Sequence, residues 1–189
     1  MPYFVSYVIV ASFAYILFNS GTGSFTLFVQ SLGFKDFSTY GTPAIWPGII
    51  VLVYLWKSVG YGMVVYLASV TSIDESLYEA AKIDGATIHQ QMKYITIPML
   101  VPTLITLLLF ALGSIARGQF ELFYQLCGSQ GQLYGVTDIF DTYVFRMLQG
   151  TFDVGRGTAI GLFQSLFGLI VVCTVNRIVN KYNSDYALF

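Results

Sequence analysis

The residues of this chain best placed to do chemistry lie between 77 and 98, in the stretch LYEAAKIDGATIHQQMKYITIP. It combines carboxylates, small residues and turn formers, and it lies between two long apolar runs. Thr71-Ser72-Ile73-Asp74 has the spacing of a capping box, so a helix is expected to start there. Ile73, Leu77, Ala80 and Ala81 then share one small apolar face, with Glu79 and Lys82 on a neighbouring one. Asp84-Gly85 stops that helix, because glycine takes the left-handed geometry favoured just past a helix end. Thr87 and Gln90 form a second box that restarts a helix through Met92 and Tyr94, and Pro98 sits at the entry to the next apolar run. About twenty residues of this character make a docking element for another protein, or else a capped connector.

Catalysis finds little support. No GxxxxGK[ST] loop is present to cradle nucleotide phosphates. His89 is the only histidine, and no clustered carboxylates or thiols offer the three or four ligands that zinc requires. Cys127 and Cys173 lie in segments of different kind, without a CxxC, and read as two unpaired thiols. The chain is therefore expected to be no enzyme, to hold no cofactor and to bind no metal. Its net charge of -1 also argues against a nucleic-acid partner.

Composition identifies the solvent. Hydrophobic residues make up 56% of the chain and charged residues 10%, with a mean hydropathy of +0.68. Soluble domains carry about 25% charge. Apolar runs at 2–18, 44–70, 94–113 and 157–175 are expected to be four spans of one transmembrane domain. An open sheet cannot sit in lipid, since its unpaired backbone groups would each cost several kcal/mol. The expected fold is all-α, a polytopic helical membrane bundle. Residues 19–43 suggest a short interfacial amphipathic helix framed by glycine turns, and 114–156 form the longest connection. Glycines 60, 62, 157, 161 and 168 are expected to let helices approach closely.

Charge leaves sidedness undecided. Lys82, Lys93, Arg177 and Lys181 fall on one side, and Lys35, Arg117, Arg146 and Arg156 on the other. Lys57, within the second run, either lines a path and meets a sugar hydroxyl or uronate, or snorkels to an interface. Arg146 with Asp141 and Glu121, and nearby Tyr124, could contact a carbohydrate or an external protein; solvated surface charge is the alternative.

Glu79-Ala80-Ala81, then Gly85, then Ile95-Thr96-Ile97-Pro98, resembles the EAA motif of the permease subunits of ABC importers. With Leu77-Tyr78 ahead and Asp84-Gly85-Ala86 within, it is similar to the carbohydrate branch. Ile97 replaces the leucine most common there. Met1-Pro2-Tyr3-Phe4, Trp56-Lys57-Ser58-Val59-Gly60, Asp141-Thr142-Tyr143-Val144-Phe145-Arg146 and Gly161-Leu162-Phe163-Gln164-Ser165 look like the polysaccharide and oligosaccharide permeases of the LplB type. The resemblance implies a type I importer permease in a prokaryotic plasma membrane, with loop 71–93 cytoplasmic. It implies a partner ATPase dimer that uses ATP, a sister permease, an extracytoplasmic sugar-binding protein and a carbohydrate substrate. Glu79 would contact the ATPase, Ala80 and Ala81 would pack in its cleft, and Gly85 would form the turn. Family members normally have six spans, so this chain would match the last four and lack an N-terminal pair. A secondary transporter and a non-transporting fragment stay as alternatives. The first would need coupling-ion carboxylates, and none of the four runs holds Asp or Glu.

Overall fold

A computed structural model describes residues 2–128 and 130–182. Helices alone form its regular structure among these residues. In chain order they are α1 (Tyr7–Phe18), α2 (Ser24–Ser31), α3 (Trp46–Thr71), α4 (Glu75–Ile83), α5 (Ile88–Gln91), α6 (Ile97–Gly113), α7 (Phe120–Cys127), α8 (Tyr134–Thr137), α9 (Phe140–Gly150) and α10 (Val154–Tyr182). Short 3₁₀ turns occupy Pro2–Phe4, Pro43–Ile45 and Gly131–Leu133. A π-helical turn, Met92–Thr96, joins α5 to α6.

Three helical stretches are long and apolar enough to cross a membrane: Pro43–Thr71, Ile88–Gly113 and Val154–Lys181. At 1.5 Å per residue each spans about 40 Å. The first apolar run behaves differently. Instead of one helix over 2–18, it is broken after Phe4, leaving α1 with 12 residues. That is about 18 Å, well short of a hydrocarbon core of roughly 30 Å. Ser6 explains the break, since its hydroxyl caps the new helix by accepting from the Ile9 amide.

Contacts divide the chain into two compact units, Met1–Gly60 with Arg117–Gln164, and Tyr61–Ala116 with Ser165–Phe189. In the first, α1 packs on α2 and α7. Trp46 is wholly buried, beside the rings of Tyr40 at 4.8 Å and Phe18 at 6.3 Å. Its indole N–H donates to the Thr39 carbonyl at 3.0 Å, as a buried tryptophan requires. The hydroxyls of Thr26 and Thr39, both fully buried, pair at 2.8 Å and fasten α2 beneath the segment that leads into α3. The short helix expected in 19–43 is therefore present as α2, with Phe25, Leu27 and Phe28 exposed.

In the second unit, Gly113 of α6 and Gly168 of α10 meet backbone to backbone. A Cβ on Gly168 would lie 2.4 Å from the Gly113 carbonyl oxygen. Ser69 and Thr103 share a hydroxyl hydrogen bond at 3.2 Å between α3 and α6, the kind of polar clasp that joins helices in lipid. Gly157, in the first unit, also sits close to a neighbour, Val144 at 3.3 Å from its would-be Cβ. Glycines 60, 62 and 161 would meet nothing within 4 Å, which corrects the expectation that all five serve close packing.

Candidate functional site

The polar stretch folds as a helix, a tight turn and a second short helix. Its first cap is Asp74, which accepts from the Ser76 amide at 2.9 Å; Thr71 was expected there. Thr71 belongs to α3, and its hydroxyl turns back to the Ala68 carbonyl at 3.0 Å. The Ser76 amide holds the exposed Asp74 carboxyl below its usual range.

α4 ends as the sequence predicts. Gly85 adopts φ +76°, the Ala86 amide reaches the Ala81 carbonyl at 2.9 Å, and the Gly85 amide reaches Lys82 at 3.0 Å. These two bonds make a complete Schellman motif centred on the glycine. Thr87 and Gln90 then form the expected reciprocal box at the start of α5. Gln91, almost fully buried, donates to the Ala86 carbonyl at 3.1 Å, and Tyr78 pairs with Thr96 through their hydroxyls at 2.9 Å. The turn is thus tied to the base of the following span at both its ends.

Helical geometry divides α4 into two faces. Tyr78 and Ala81 are half-buried and point inward, whereas Ser76, Glu79, Ala80 and Ile83 are exposed. Spacings of three and four residues place those four on one outward stripe. The small pair is therefore split: Ala80 lies outside, and Ala81 packs within the chain. Ile97 and Pro98 follow the π turn, both exposed. The wide turn, in which the Ile97 amide reaches back to the Met92 carbonyl, relieves the clash that a proline ring makes with a regular α-helix.

The remaining predicted residues do not converge. Lys57 is 5% exposed, so it does not snorkel. Its ammonium donates to the carbonyls of Val5 at 2.5 Å, Tyr3 at 2.8 Å and Pro2 at 3.5 Å, and lies 4.5 Å from the centre of the Tyr7 ring. With all three protons engaged, Lys57 braces the N-terminal turn and has no donor left for a substrate.

Arg146, grouped from sequence with Asp141 and Glu121 as a candidate carbohydrate contact, pairs with Asp138. Nη1 and Nη2 donate to the two Asp138 oxygens at 2.9 and 2.5 Å, and the guanidinium lies 3.9 Å from the centre of the Tyr134 ring. Asp141 instead accepts from the Gly118 amide at 3.0 Å and from the Gln164 amide group at 3.2 Å. It bolts the start of α9 to α10. Glu121 is exposed on α7, while Tyr124 stacks on Phe120 at 5.3 Å and meets Phe145 edge-on. Asp138 and Tyr134 escaped the sequence reading because an eight-residue separation across a helix start carries no periodic signal.

Burial raises the Asp138 carboxyl, but bonds from Arg146 and Thr142 outweigh it and hold the group below its ordinary value. A carboxyl so depressed adds stability at neutral pH and loses it as pH falls through the folded-state value, below about pH 4. Unfolding should therefore be easier for Asp138→Asn than for the parent at pH 7, with the difference shrinking as pH falls below about 4. A gap that persists undiminished at pH 3 would show that packing, and not charge, holds the pair. Cys127 is buried, its thiol pushed up to about 11 by that burial, and both cysteines are free.

Residues 1–184 match the family described as binding-protein-dependent transport system inner membrane component. The chain belongs to that family. Among relatives, it is 35% identical to the LplB protein of Bacillus subtilis over 98% of its own length and 58% of that protein's. It is 32% identical to YteP of the same organism, a polygalacturonan/rhamnogalacturonan transport system permease protein, over 98% of the chain and 57% of the relative. The chain thus spans a little under three-fifths of these family members. A crystal structure of a bacterial ABC transporter involved in import of the acidic polysaccharide alginate superimposes with a TM-score of 0.83 at 33% identity, covering 96% of this chain and 63% of that one. A second, in complex with an alginate pentasaccharide-bound periplasmic protein, gives 0.84 at 31% identity, over 96% and 62%. Family membership makes this a multi-pass membrane protein with a non-enzymatic role, and it sets aside the secondary-transporter alternative.

Proposed function

We propose that this chain is the transmembrane subunit of an ABC importer for an oligosaccharide or polysaccharide fragment. With a sister permease it forms the translocation path in a prokaryotic plasma membrane, and an extracytoplasmic binding protein delivers the sugar. The polygalacturonan/rhamnogalacturonan permease and the alginate transporter among its relatives support a sugar, with acidic polysaccharides in view. ATP is consumed by the partner ATPase pair, which docks on the loop 71–93.

One observation carries the coupling role: the exposed stripe Glu79–Ala80–Ile83 stands on a turn whose every cap is satisfied and which is pinned to the foot of a membrane-length helix. A push on such a loop is transmitted, because little slack exists to absorb it. Closure of the ATPase pair would displace α4, and the helix from Ile88 to Gly113 would carry the motion to the pore as a rigid-body switch. Glu79, Ala80 and Ala81, Asp84-Gly85-Ala86 and Ile97-Pro98 make up this element, with Ala81 supporting it from within.

Uptake of labelled neutral and uronic-acid oligosaccharides by cells carrying the complete importer tests the reading. Gly85→Val forces a branched side chain into left-handed geometry, at a cost of about 1–2 kcal/mol confined to the loop; nothing lies within 4 Å to add a clash. Glu79→Lys reverses the exposed charge. Each should reduce uptake at least tenfold with the protein still present in the membrane. Undiminished transport in both would sink the coupling role.

A further inference from the structure

Gly161 stands two turns into α10, where a glycine weakens the helix relative to alanine, and no close helix approach accounts for it. The space that it leaves belongs to an open cavity of about 370 Å³. Gly157, Gly161 and Gln164 of α10 line it together with Asp141 and Phe145 of α9 and Phe120 of α7. Spacings of four and three residues put the three α10 positions on one face of that helix. The volume falls within the range of small-molecule pockets, about 300–1,000 Å³.

The wall combines a polar cluster with aromatic rings. Gln164 is 5% exposed, and its amide group donates to one Asp141 oxygen at 3.2 Å, while the other oxygen accepts from the Gly118 amide at 3.0 Å. A carboxylate offers about four acceptor positions, so Asp141 can hold α9 to α10 and still take further hydroxyl protons. Phe120 and Phe145, both half-buried, lie 5.1 Å apart with their planes inclined at 59°.

Two occupants suit such a cavity, a lipid tail or a sugar ring. Polarity separates them. A hydrocarbon chain would desolvate the carboxylate and offer it no donor in return. A sugar ring brings hydroxyls for the carboxylate along its edge and C–H groups for the aromatic rings on its face. Charge selects further, because a uronate turned toward Asp141 would meet a like charge. With loop 71–93 in the cytoplasm, α6 leads away from it and α10 returns. The first turns of α10 then lie on the side from which a sugar arrives.

We propose that this cavity is an entry subsite for one ring of the sugar substrate. Asp141 accepts from its hydroxyls, Phe120 and Phe145 meet its face, and Gly161 gives it room. This inference rests on the sugar-importer reading above and names residues that select within it.

The test uses the complete importer with its binding protein in proteoliposomes, and a panel of labelled neutral and uronic-acid tetrasaccharides. Gly161→Leu fills the cavity without a clash, so it should raise the KM for uptake at least tenfold and leave the thermal midpoint at or above the parent's. Gly161→Ala, which adds one methyl, should keep the KM within twofold. Asp141→Asn keeps the shape and removes the charge, and should move the ratio of kcat/KM values at least threefold toward the uronic-acid probes. An unchanged KM in Gly161→Leu would overturn the subsite and leave the importer reading standing. A parent that takes up no saccharide would overturn that reading, and the subsite with it. Independently of folding in the leucine variant, Gly161→Cys should react with a small charged thiol reagent above the background of Cys127 and Cys173, and a transported saccharide should slow that reaction at least threefold. Labelling that no saccharide slows would assign the cavity to lipid and overturn the proposal.

Discussion

Lys57→Met should lower the thermal stability of the protein by on the order of 10 °C, measured on the full-length protein in mild detergent. Methionine keeps most of the stem but removes the charge and all three donors. The Pro2 carbonyl keeps a partner in the Val5 amide at 3.1 Å. The carbonyls of Tyr3 and Val5, bonded to the ammonium at 2.8 and 2.5 Å, would lose it as a partner. A hydrogen bond to a charged group is worth about 1.5–3 kcal/mol. Two of them, with loss of the contact to the Tyr7 ring, bring the total to about 3 kcal/mol or more. For a chain of this size each kcal/mol moves the midpoint by about 2–4 °C. Were Lys57 a substrate contact, the same variant would raise the KM for uptake and leave the midpoint alone. A midpoint within 2 °C of the parent would mean that water reaches those carbonyls.

Gly168→Ala should destabilise by about 2 kcal/mol and Gly168→Val by more, although alanine is the better helix former. The added Cβ would stand 2.4 Å from the Gly113 carbonyl oxygen, and a backbone atom cannot rotate aside as a side-chain tip can. The helices α6 and α10 must separate, and overpacking of this kind costs about 1–3 kcal/mol. Gly62→Ala, in α3 with nothing within 4 Å, should be neutral or stabilising by up to about 1 kcal/mol from helix propensity. Opposite signs for two glycine-to-alanine changes within helices are the decisive result. Equal effects in a thermal or denaturant series would show that the α6–α10 approach is slack.

How much could be read from sequence depended on how far apart the interacting groups lie. The Thr87–Gln90 box and the Asp84-Gly85 stop were legible because their partners lie within five residues and their geometry is set locally. The box at Thr71–Asp74 places the cap at Thr71 by spacing alone, and only the end of α3 moves it to Asp74. Lys57 gave no clue to its role, because the carbonyls it binds lie more than fifty residues away and carbonyls have no sequence signature. The pairing of Arg146 with Asp138 is hidden for a related reason, the stacking on Tyr134 being visible only in three dimensions. The first apolar run was judged by hydropathy, which registers composition and is blind to the break that Ser6 introduces. Fold and family were clear nonetheless, for lipid leaves few architectures open and the EAA pattern is dense.

The π turn at Met92–Thr96 makes this junction the one place on the stretch where a change in length is easily borne. A π turn is an α-helix carrying one additional residue, taken up as a bulge so that the turns on either side keep their phase. Removing a single position between Met92 and Thr96 would return the segment to α geometry and leave the stripe of α6 that faces Ser69 and Gly168 in place, at the cost of the clash a proline ring makes with a regular helix. A deletion further along α6, with no bulge to absorb it, would instead turn the residues on one side of it by about 100° about the helix axis relative to the other. Sequences related to this one should therefore gain or lose a residue at 92–96 sooner than within α6.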